Sequence, residues 1–119
     1  MSESDAYDLF REGQKRLRAG MTAQATVPLE KAKKLEPAKA SIREALGIAY
    51  FRLSRWRDAE REFRTIVEEL SPTDHYAHYA LGRALEHLGK TTEANGHYKL
   101  ASSMKPTSQT YSSRILDLE

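Results

Sequence analysis

The sequence predicts an all-α fold, a right-handed α-solenoid of three helix-turn-helix repeats with a capping helix. Small residues and prolines recur at a near-constant period, and no segment shows sustained alternation of apolar and polar residues, so no β-sheet is expected. The recurring positions are Gly13, Gly47 and Gly82; Ala25, Ala59 and Ala94; and Pro37, Pro72 and Pro106. A period of about 34 residues indicates helical hairpins that must stack, because one hairpin cannot bury its apolar face alone.

Six helices form the three predicted hairpins, and short turns at Gly20, Ser54 and Gly89 make the two helices of each hairpin antiparallel. The predicted helices cover residues 5–19, 22–35, 38–53, 55–70, 74–88 and 92–104. Ser54 is the expected N-cap of the fourth helix. Pro28 lies inside the second helix, where it removes a backbone hydrogen bond, so we expect either a kink or a late start of that helix.

A seventh helix, over residues 108–118, is predicted to cover the open end of the stack. Its apolar residues Tyr111, Ile115 and Leu118 follow the spacing i, i+4, i+7, which places them in one stripe. The remaining positions of this segment are mostly polar. A helix with one apolar stripe and one polar face suits the cap that a stack of repeats requires.

Composition bounds the class of protein. The 119 residues form one compact unit, and 19 basic against 17 acidic residues leave a net charge of only +2. The absence of cysteine excludes disulfides, thiolate metal sites and cysteine nucleophiles. The first residues lack the basic and apolar regions of a secretory signal, and no apolar run reaches membrane-spanning length. We therefore expect a cytoplasmic protein.

The repeats resemble tetratricopeptide repeats (TPRs). The middle unit carries the family's Leu-Gly-x-x-Tyr and aromatic-x-x-Ala-x-x-x-aromatic patterns at Leu46, Gly47, Tyr50, Trp56, Ala59 and Phe63. The resemblance implies one TPR domain over residues 1–119, with repeats at about 6–39, 40–74 and 75–106 and a capping helix at about 108–118. The first unit departs from the pattern, since Glu12 and Arg16 stand where Leu and Tyr are usual. We expect them to form an i, i+4 pair on an exposed helix face.

The resemblance implies a noncatalytic protein-interaction module, an adaptor or scaffold. Residues of each first helix that face away from the hairpin partner should line the concave surface of the stack. The predicted binding residues of this surface are Tyr7, Phe10, Gln14, Glu44, Ile48, Phe51, Arg52, Tyr76, Tyr79 and Arg83. Tyrosine and arginine are favoured anchors in recognition surfaces. The alternative for apolar members such as Phe10 and Phe51 is that they only pack between units.

TPR modules that hold the acidic tails of chaperones use lysine and asparagine in this groove. The matching positions here are Phe10, Gln14, Ala45, Tyr76 and Ala80. Because only Gln14 is chemically similar, the resemblance does not extend to a carboxylate clamp, and we expect the partner to be a peptide or helix of another kind.

Other functions find less support in the sequence. His75 and His78 are three residues apart on one helix face, but no cysteine or carboxylate pair completes a metal site, so neither a metal nor a cofactor is expected. No phosphate loop, His-Glu-x-x-His motif or nucleophile elbow is present, so we do not expect an enzyme. Two alternatives stay open. One is association with nucleic acid, although acidic residues interrupt the basic clusters; the other is self-association through the open ends of the stack, giving a homodimer.

Overall fold

The computed structural model describes residues 3–115, with side chains from Asp5 onward. Seven α-helices and one π-helical turn form an all-helical stack, and residues 3–115 contain no β-strand. The helices are α1 (Glu3–Arg18), α2 (Thr22–Leu35), α3 (Ala40–Arg52), α4 (Trp56–Thr65), α5 (His75–His87), α6 (Thr91–Met104) and α7 (Gln109–Ser112), and the π-helical turn is Ile66–Leu70. The predicted all-α solenoid is confirmed, with the ends of the first six helices within two residues of their predicted positions once the π-helical turn is counted with α4.

The helices pack in sequential hairpins. The pairs α1 with α2, α3 with α4 and α5 with α6 make the most extensive contacts, and successive hairpins meet through α2 against α3 and α4 against α5. The resulting stack is elongated, 51 Å long and 24 by 22 Å across. The pairing predicted from the short turns is therefore confirmed, and it sets the first helices α1, α3 and α5 side by side along the stack.

A glycine at each hairpin crossing lies against one large side chain of the second helix. The pairs are Gly13 with Leu29, Gly47 with Phe63, and Gly82 with Tyr98. A Cβ atom added at Gly47 would lie 2.6 Å from the Phe63 ring, and one added at Gly82 would lie 2.5 Å from the Tyr98 ring. The recurring glycines therefore allow the close approach of the two helices that a side chain would prevent.

The three hairpin turns share one backbone conformation. Gly20, Ser54 and Gly89 have φ angles of 78°, 59° and 79°, in the left-handed region. Ser54 is thus the turn residue of the second hairpin, while Arg55 holds the N-cap position of α4 without a capping hydrogen bond from its side chain. The prediction of Ser54 as N-cap is wrong, because the short connection requires a left-handed residue at that point.

The π-helical turn explains why the period of the repeat changes along the chain. Ala25 and Pro37 are 12 positions apart, as are Ala94 and Pro106, but Ala59 and Pro72 are 13 positions apart. The π-helical turn Ile66–Leu70 lies inside this longer interval. A π-helical turn takes up one extra residue without interrupting the helix. The second unit is therefore one residue longer without losing its hairpin geometry.

The proline inside α2 does not delay the helix. Pro28 is buried in the middle of α2, which begins at Thr22 as the sequence predicts, so the expected late start is wrong. Pro28 has no N–H to donate to the carbonyl group of Gln24, four residues earlier. That oxygen instead accepts a hydrogen bond of 3.0 Å from Nη1 of Arg16 on α1.

The last helix is shorter than predicted. Helix α7 has only one turn, and the chain leaves the helix at Ser113, whereas the prediction continued to residue 118. Tyr111 is buried and Ile115 packs against the core, but Leu118 lies outside the described residues. Serine and threonine are weak helix formers, and a turn after Ser112 lets Ile115 reach the core. The segment covers the third hairpin as a short turn instead of a long helix.

Candidate functional site

A cavity lies between the first helices of the second and third hairpins. Its volume is about 220 Å³. It is lined by Ile48, Phe51 and Arg52 of α3, Phe63 of α4, and Tyr76, Tyr79, Ala80 and Arg83 of α5. We call this site the central groove. The side chains reach one space because α3 and α5 lie side by side and run in the same direction.

Arg83 is held in a defined orientation at the edge of the central groove. Its Nη1 donates a hydrogen bond of 3.2 Å to the hydroxyl oxygen of Tyr79, and its guanidinium carbon lies 5.2 Å from the centre of the Phe51 ring. The cation–π contact joins the second repeat to the third. No carboxylate within residues 5–115 pairs with Arg83, so its charge is oriented by the protein and open to an anionic group of a ligand.

Aromatic rings support the third-repeat side of the groove. The ring centre of Tyr79 lies 6.2 Å from that of Tyr76, 6.1 Å from that of Tyr98 and 5.1 Å from that of Tyr111. The Tyr111 hydroxyl group lies 2.8 Å from Nδ1 of His75. The short helix α7 thus restricts the position of the Tyr79 ring through its contact with Tyr111. Burial, followed by the charge of Glu44, raises the pKa of Tyr76.

A second aromatic group closes the other side of the groove. The rings of Trp56 and His87 are stacked with centres 3.8 Å apart, and Phe51 meets both edge to face. Phe51 therefore lies between this cluster and Arg83. Because Phe51 contacts Trp56, His87 and Arg83, its ring forms a wall of the groove with a restricted orientation.

A pair of carboxylates lies beside the groove, toward the N-terminal ends of α3 and α5. Glu44 is half-buried on α3, and Asp74 precedes α5. Asp74 accepts a hydrogen bond of 3.0 Å from the backbone nitrogen of Ala77, which caps α5. Burial, followed by the negative charge of Asp74, raises the pKa of Glu44 above its usual range. Within residues 5–115, no lysine, arginine or histidine forms an ion pair with Glu44.

The structure divides the ten residues predicted for the concave surface into three sets. Six of them share the central groove: Ile48, Phe51, Arg52, Tyr76, Tyr79 and Arg83. Tyr7 and Phe10 line a separate cavity of about 480 Å³ near the start of α3, and Gln14 and Glu44 line neither cavity. Ala80, which the family resemblance placed in the groove, also lines it. Periodicity did not identify Phe63 as part of the groove wall or Tyr111 as its support, because these contacts depend on how the units stack.

The histidines make contacts with protein groups. His75 contacts Tyr111, and His78 lies 2.8 Å from the carbonyl oxygen of Pro72 and 3.0 Å from His97. In the part of the chain that the structure describes, no three His, Cys, Asp or Glu side chains are arranged to hold a metal ion. Among the helices between residues 3 and 115, none combines the length and the apolar character needed to cross a membrane.

Comparison with protein families identifies the repeat type. A tetratricopeptide repeat model matches residues 44–108, more than half of the chain. This chain belongs to the tetratricopeptide repeat family. The TPR match covers most of the second repeat and all of the third, and leaves out the first, where Glu12 and Arg16 depart from the family pattern.

A curated relative shares part of its sequence with this TPR protein. The chain is 30% identical over 96 residues to mouse Superkiller complex protein 3, and the aligned part is 81% of this chain but 6% of that protein. This TPR chain thus spans a small fraction of the length of the relative that it matches, and the similarity concerns the repeat unit.

Solved TPR domains have the same fold. The first TPR domain of Spaghetti (RPAP3), bound to the HSP90 peptide SRMEEVD, has a TM-score of 0.90 at 23% identity and covers 97% of this chain and 90% of its own. The TPR domain of Arabidopsis OM64 has a TM-score of 0.86 at 19% identity, with 92% and 89% covered. At such identities the likeness shows the fold.

Proposed function

We propose that this TPR protein is a noncatalytic adaptor that binds a peptide or helix of a partner protein in the central groove. The observation that carries the proposal is a cavity walled by Phe51, Tyr76 and Tyr79 and bordered by the oriented cation of Arg83. An apolar pocket with a few oriented polar groups is the usual form of a binding site. Aromatic rings supply contact area, and a guanidinium group bonds carboxylate or carbonyl oxygens of a ligand.

Family membership and the solved relatives support an interaction role without naming the partner. The first TPR domain of Spaghetti was solved with an HSP90 peptide. At two of the five positions where the family holds acidic tails, this chain has Ala45 and Ala80, which are buried and have no side-chain donor group. The peptide SRMEEVD is therefore a reference probe that we expect to bind this chain weakly.

The test is selection of peptides on the purified chain. A phage-displayed library of random peptides is selected on the wild type and on the double variant Tyr79→Ala/Arg83→Ala. We expect peptides enriched on the wild type to lose binding to the double variant. Circular dichroism should show that the double variant stays folded, with a melting temperature lowered by the packing that the Tyr79 ring loses. The matched control is Val27→Ala/Lys31→Ala, which removes an apolar group and a cation, also four residues apart, from exposed positions of α2.

Each contrary result has a defined meaning. Loss of folding in Tyr79→Ala/Arg83→Ala would assign these residues to the core. Equal capture by the variant and the wild type would contradict the proposed site and move binding to the convex surface or the ends of the stack. The double variant contains only groove residues, and the control contains none. A difference in peptide binding between the double variant and the control therefore shows that binding depends on the groove.

Nucleic-acid binding and self-association are tested by separate measurements. Many basic side chains are paired with acids, such as Arg16 with Glu12 at 3.0 Å and Arg64 with Glu60 at 2.8 Å, which favours a protein partner over nucleic acid. Affinity for single-stranded RNA that falls steeply with salt would contradict this preference. A concentration-dependent mass in sedimentation equilibrium would indicate a homodimer.

A cytoplasmic location stays a prediction, which microscopy of the fluorescently tagged protein tests.

A further inference from the structure

The charges around the central groove are separated along its length, and we propose that its ligand is an extended peptide with a matching charge order. A basic side chain would lie beside Glu44 and Asp74, an apolar side chain would enter the cavity, and an acidic side chain would meet Arg52 and Arg83. The inference rests on the proposed function and adds the chemical pattern of the partner.

The acidic end of the groove lacks a counterion. Glu44 is half-buried beside Asp74, and no cationic side chain within residues 5–115 pairs with it. Asp74 has one oxygen bound to the start of α5. Two neighbouring carboxylates, one of them partly removed from water, repel each other and favour a cation brought by a ligand. A lysine or arginine of a partner peptide supplies that cation.

The basic end lies at the opposite ends of the same helices. Arg52 is exposed at the end of α3 and has no ion pair within residues 5–115, and Arg83 is oriented by Tyr79 and Phe51. Because α3 and α5 are parallel, the carboxylates are at the N-terminal ends of both helices and the arginines are toward their C-terminal ends. Glu44 and Arg52 are eight residues apart on one helix, which corresponds to about 12 Å.

The spacing selects an extended ligand. An extended chain advances about 3.3 Å per residue, so side chains four residues apart span about 13 Å and reach both charged ends. A helix would need about eight residues for that distance and would present several apolar groups in a row, whereas the groove between the charged ends has a single cavity of 220 Å³. A purely acidic tail would place a carboxylate near Glu44 and Asp74 and would be repelled.

The experiment reads the charge pattern of selected peptides. Peptides enriched on the wild-type chain, and lost on Tyr79→Ala/Arg83→Ala, are sequenced. We expect a basic residue about four positions from an acidic one, with an apolar residue between them. One such peptide is then synthesised with a fluorophore, and its dissociation constant is measured by anisotropy with the variants Glu44→Gln, Glu44→Lys and Arg52→Glu.

The variants test the contacts at the two ends of the ligand separately. We expect Glu44→Gln to weaken binding about tenfold, as for the loss of one charge-assisted contact. Glu44→Lys should weaken it further, and a peptide with glutamate in place of its basic residue should recover binding to Glu44→Lys. Arg52→Glu should be rescued by the opposite exchange. Glu69→Gln, at an exposed position of the π-helical turn, is the matched control and should bind like the wild type.

The outcomes distinguish failure of the proposed charge order from failure of the proposed binding site. Groove-dependent peptides without a basic residue, together with unchanged binding by Glu44→Gln, would overturn the charge order and leave the proposed function standing. No enrichment on the wild type, or peptides that bind Tyr79→Ala/Arg83→Ala equally well, would overturn both. Melting curves exclude misfolding as the cause, since Glu44→Gln removes an unpaired charge and should not lower the melting temperature.

Discussion

Arg16 donates a hydrogen bond of 3.0 Å to the backbone oxygen of Gln24, which the proline four residues later leaves without its helical donor. The same guanidinium group pairs with Glu12 at 3.0 Å. The sequence indicated only an exposed i, i+4 pair at Glu12 and Arg16. The structure gives Arg16 a second contact, which joins α1 to α2 and compensates for the backbone hydrogen bond that Pro28 removes.

This relationship predicts that Arg16 and Pro28 are energetically coupled. Replacing Arg16 by Ala should lower the free energy of unfolding by about 1 kcal/mol, because the Gln24 carbonyl loses its donor. With Pro28→Ala, the backbone N–H returns and the cost of Arg16→Ala should fall. Urea unfolding of both single variants and the double variant measures the coupling. Equal costs of Arg16→Ala in both backgrounds would contradict it.

The second prediction concerns the turn of the second hairpin. Ser54 has the positive φ that Gly20 and Gly89 adopt in the other turns. We expect Ser54→Gly to raise the free energy of unfolding by about 0.5–1 kcal/mol, since glycine accepts this conformation without the steric cost of a Cβ atom. The reverse exchange, Gly89→Ser, should lower it. Thermal and urea unfolding measure both changes, and a destabilised Ser54→Gly would show that its side chain has another role.

Gly47 tests the packing at a hairpin crossing. A methyl group added there would lie 2.6 Å from the Phe63 ring, so Gly47→Ala should cost about 1–3 kcal/mol through overpacking. Gly96 is the matched control, because it is in α6 and a Cβ atom there meets nothing within 4 Å. Gly96→Ala should stabilise by about 0.5–1 kcal/mol through helix propensity. The prediction fails if both variants unfold at the same urea concentration.

Acid should destabilise the fold through His97. Burial, and then the charge of His78, lower the pKa of His97, while Glu93 opposes the shift and Arg64 adds to it. Because the folded-state pKa lies below the unfolded value of about 6.5, the unfolded chain binds more protons between these two values. The free energy of unfolding should therefore decrease as the pH falls below about 6.5, until it reaches the folded-state pKa of His97.

Urea unfolding across this pH range, for the wild type and His97→Gln, measures that contribution. The variant should lose part of the pH dependence. Lys99→Gln, at an exposed position of the same helix, is the control and should keep the dependence of the wild type. Identical pH profiles for the wild type and His97→Gln would refute the assignment.

The π-helical turn should tolerate deletion of one residue. Without Glu69, Leu70 would come 10 positions after Ala59, the interval that separates Ala25 from Leu35 and Ala94 from Met104. We expect the deletion to convert the turn to regular α-helix with the fold and melting temperature retained. Deleting Arg61 in α4 is the control and should be strongly destabilising, since it rotates Phe63 away from Gly47. Circular dichroism and thermal melting compare the two, and loss of folding on deletion of Glu69 would contradict this account.

The sequence alone determined the repeat, the first six helices and the small residues at the crossings, because these follow from backbone geometry and from local periodicity. It also selected one sector of each first helix, since residues on one sector of a helix project the same way. Only the tertiary structure decided which of those residues share a cavity. Ile48 and Tyr79 meet there, whereas Tyr7 lines another cavity, because the distances between units depend on how the hairpins stack.

Contacts that join distant parts of the chain were likewise beyond the sequence. The Tyr111 ring packs against Tyr79, and the Arg16 side chain donates a hydrogen bond to the carbonyl group of Gln24. Each contact joins two different helices. No local pattern encodes such pairs, since each depends on the relative position and rotation of two helices. The period of the glycines and prolines therefore sufficed for the architecture, while the shape and charge order of the groove arose only when the three hairpins packed together.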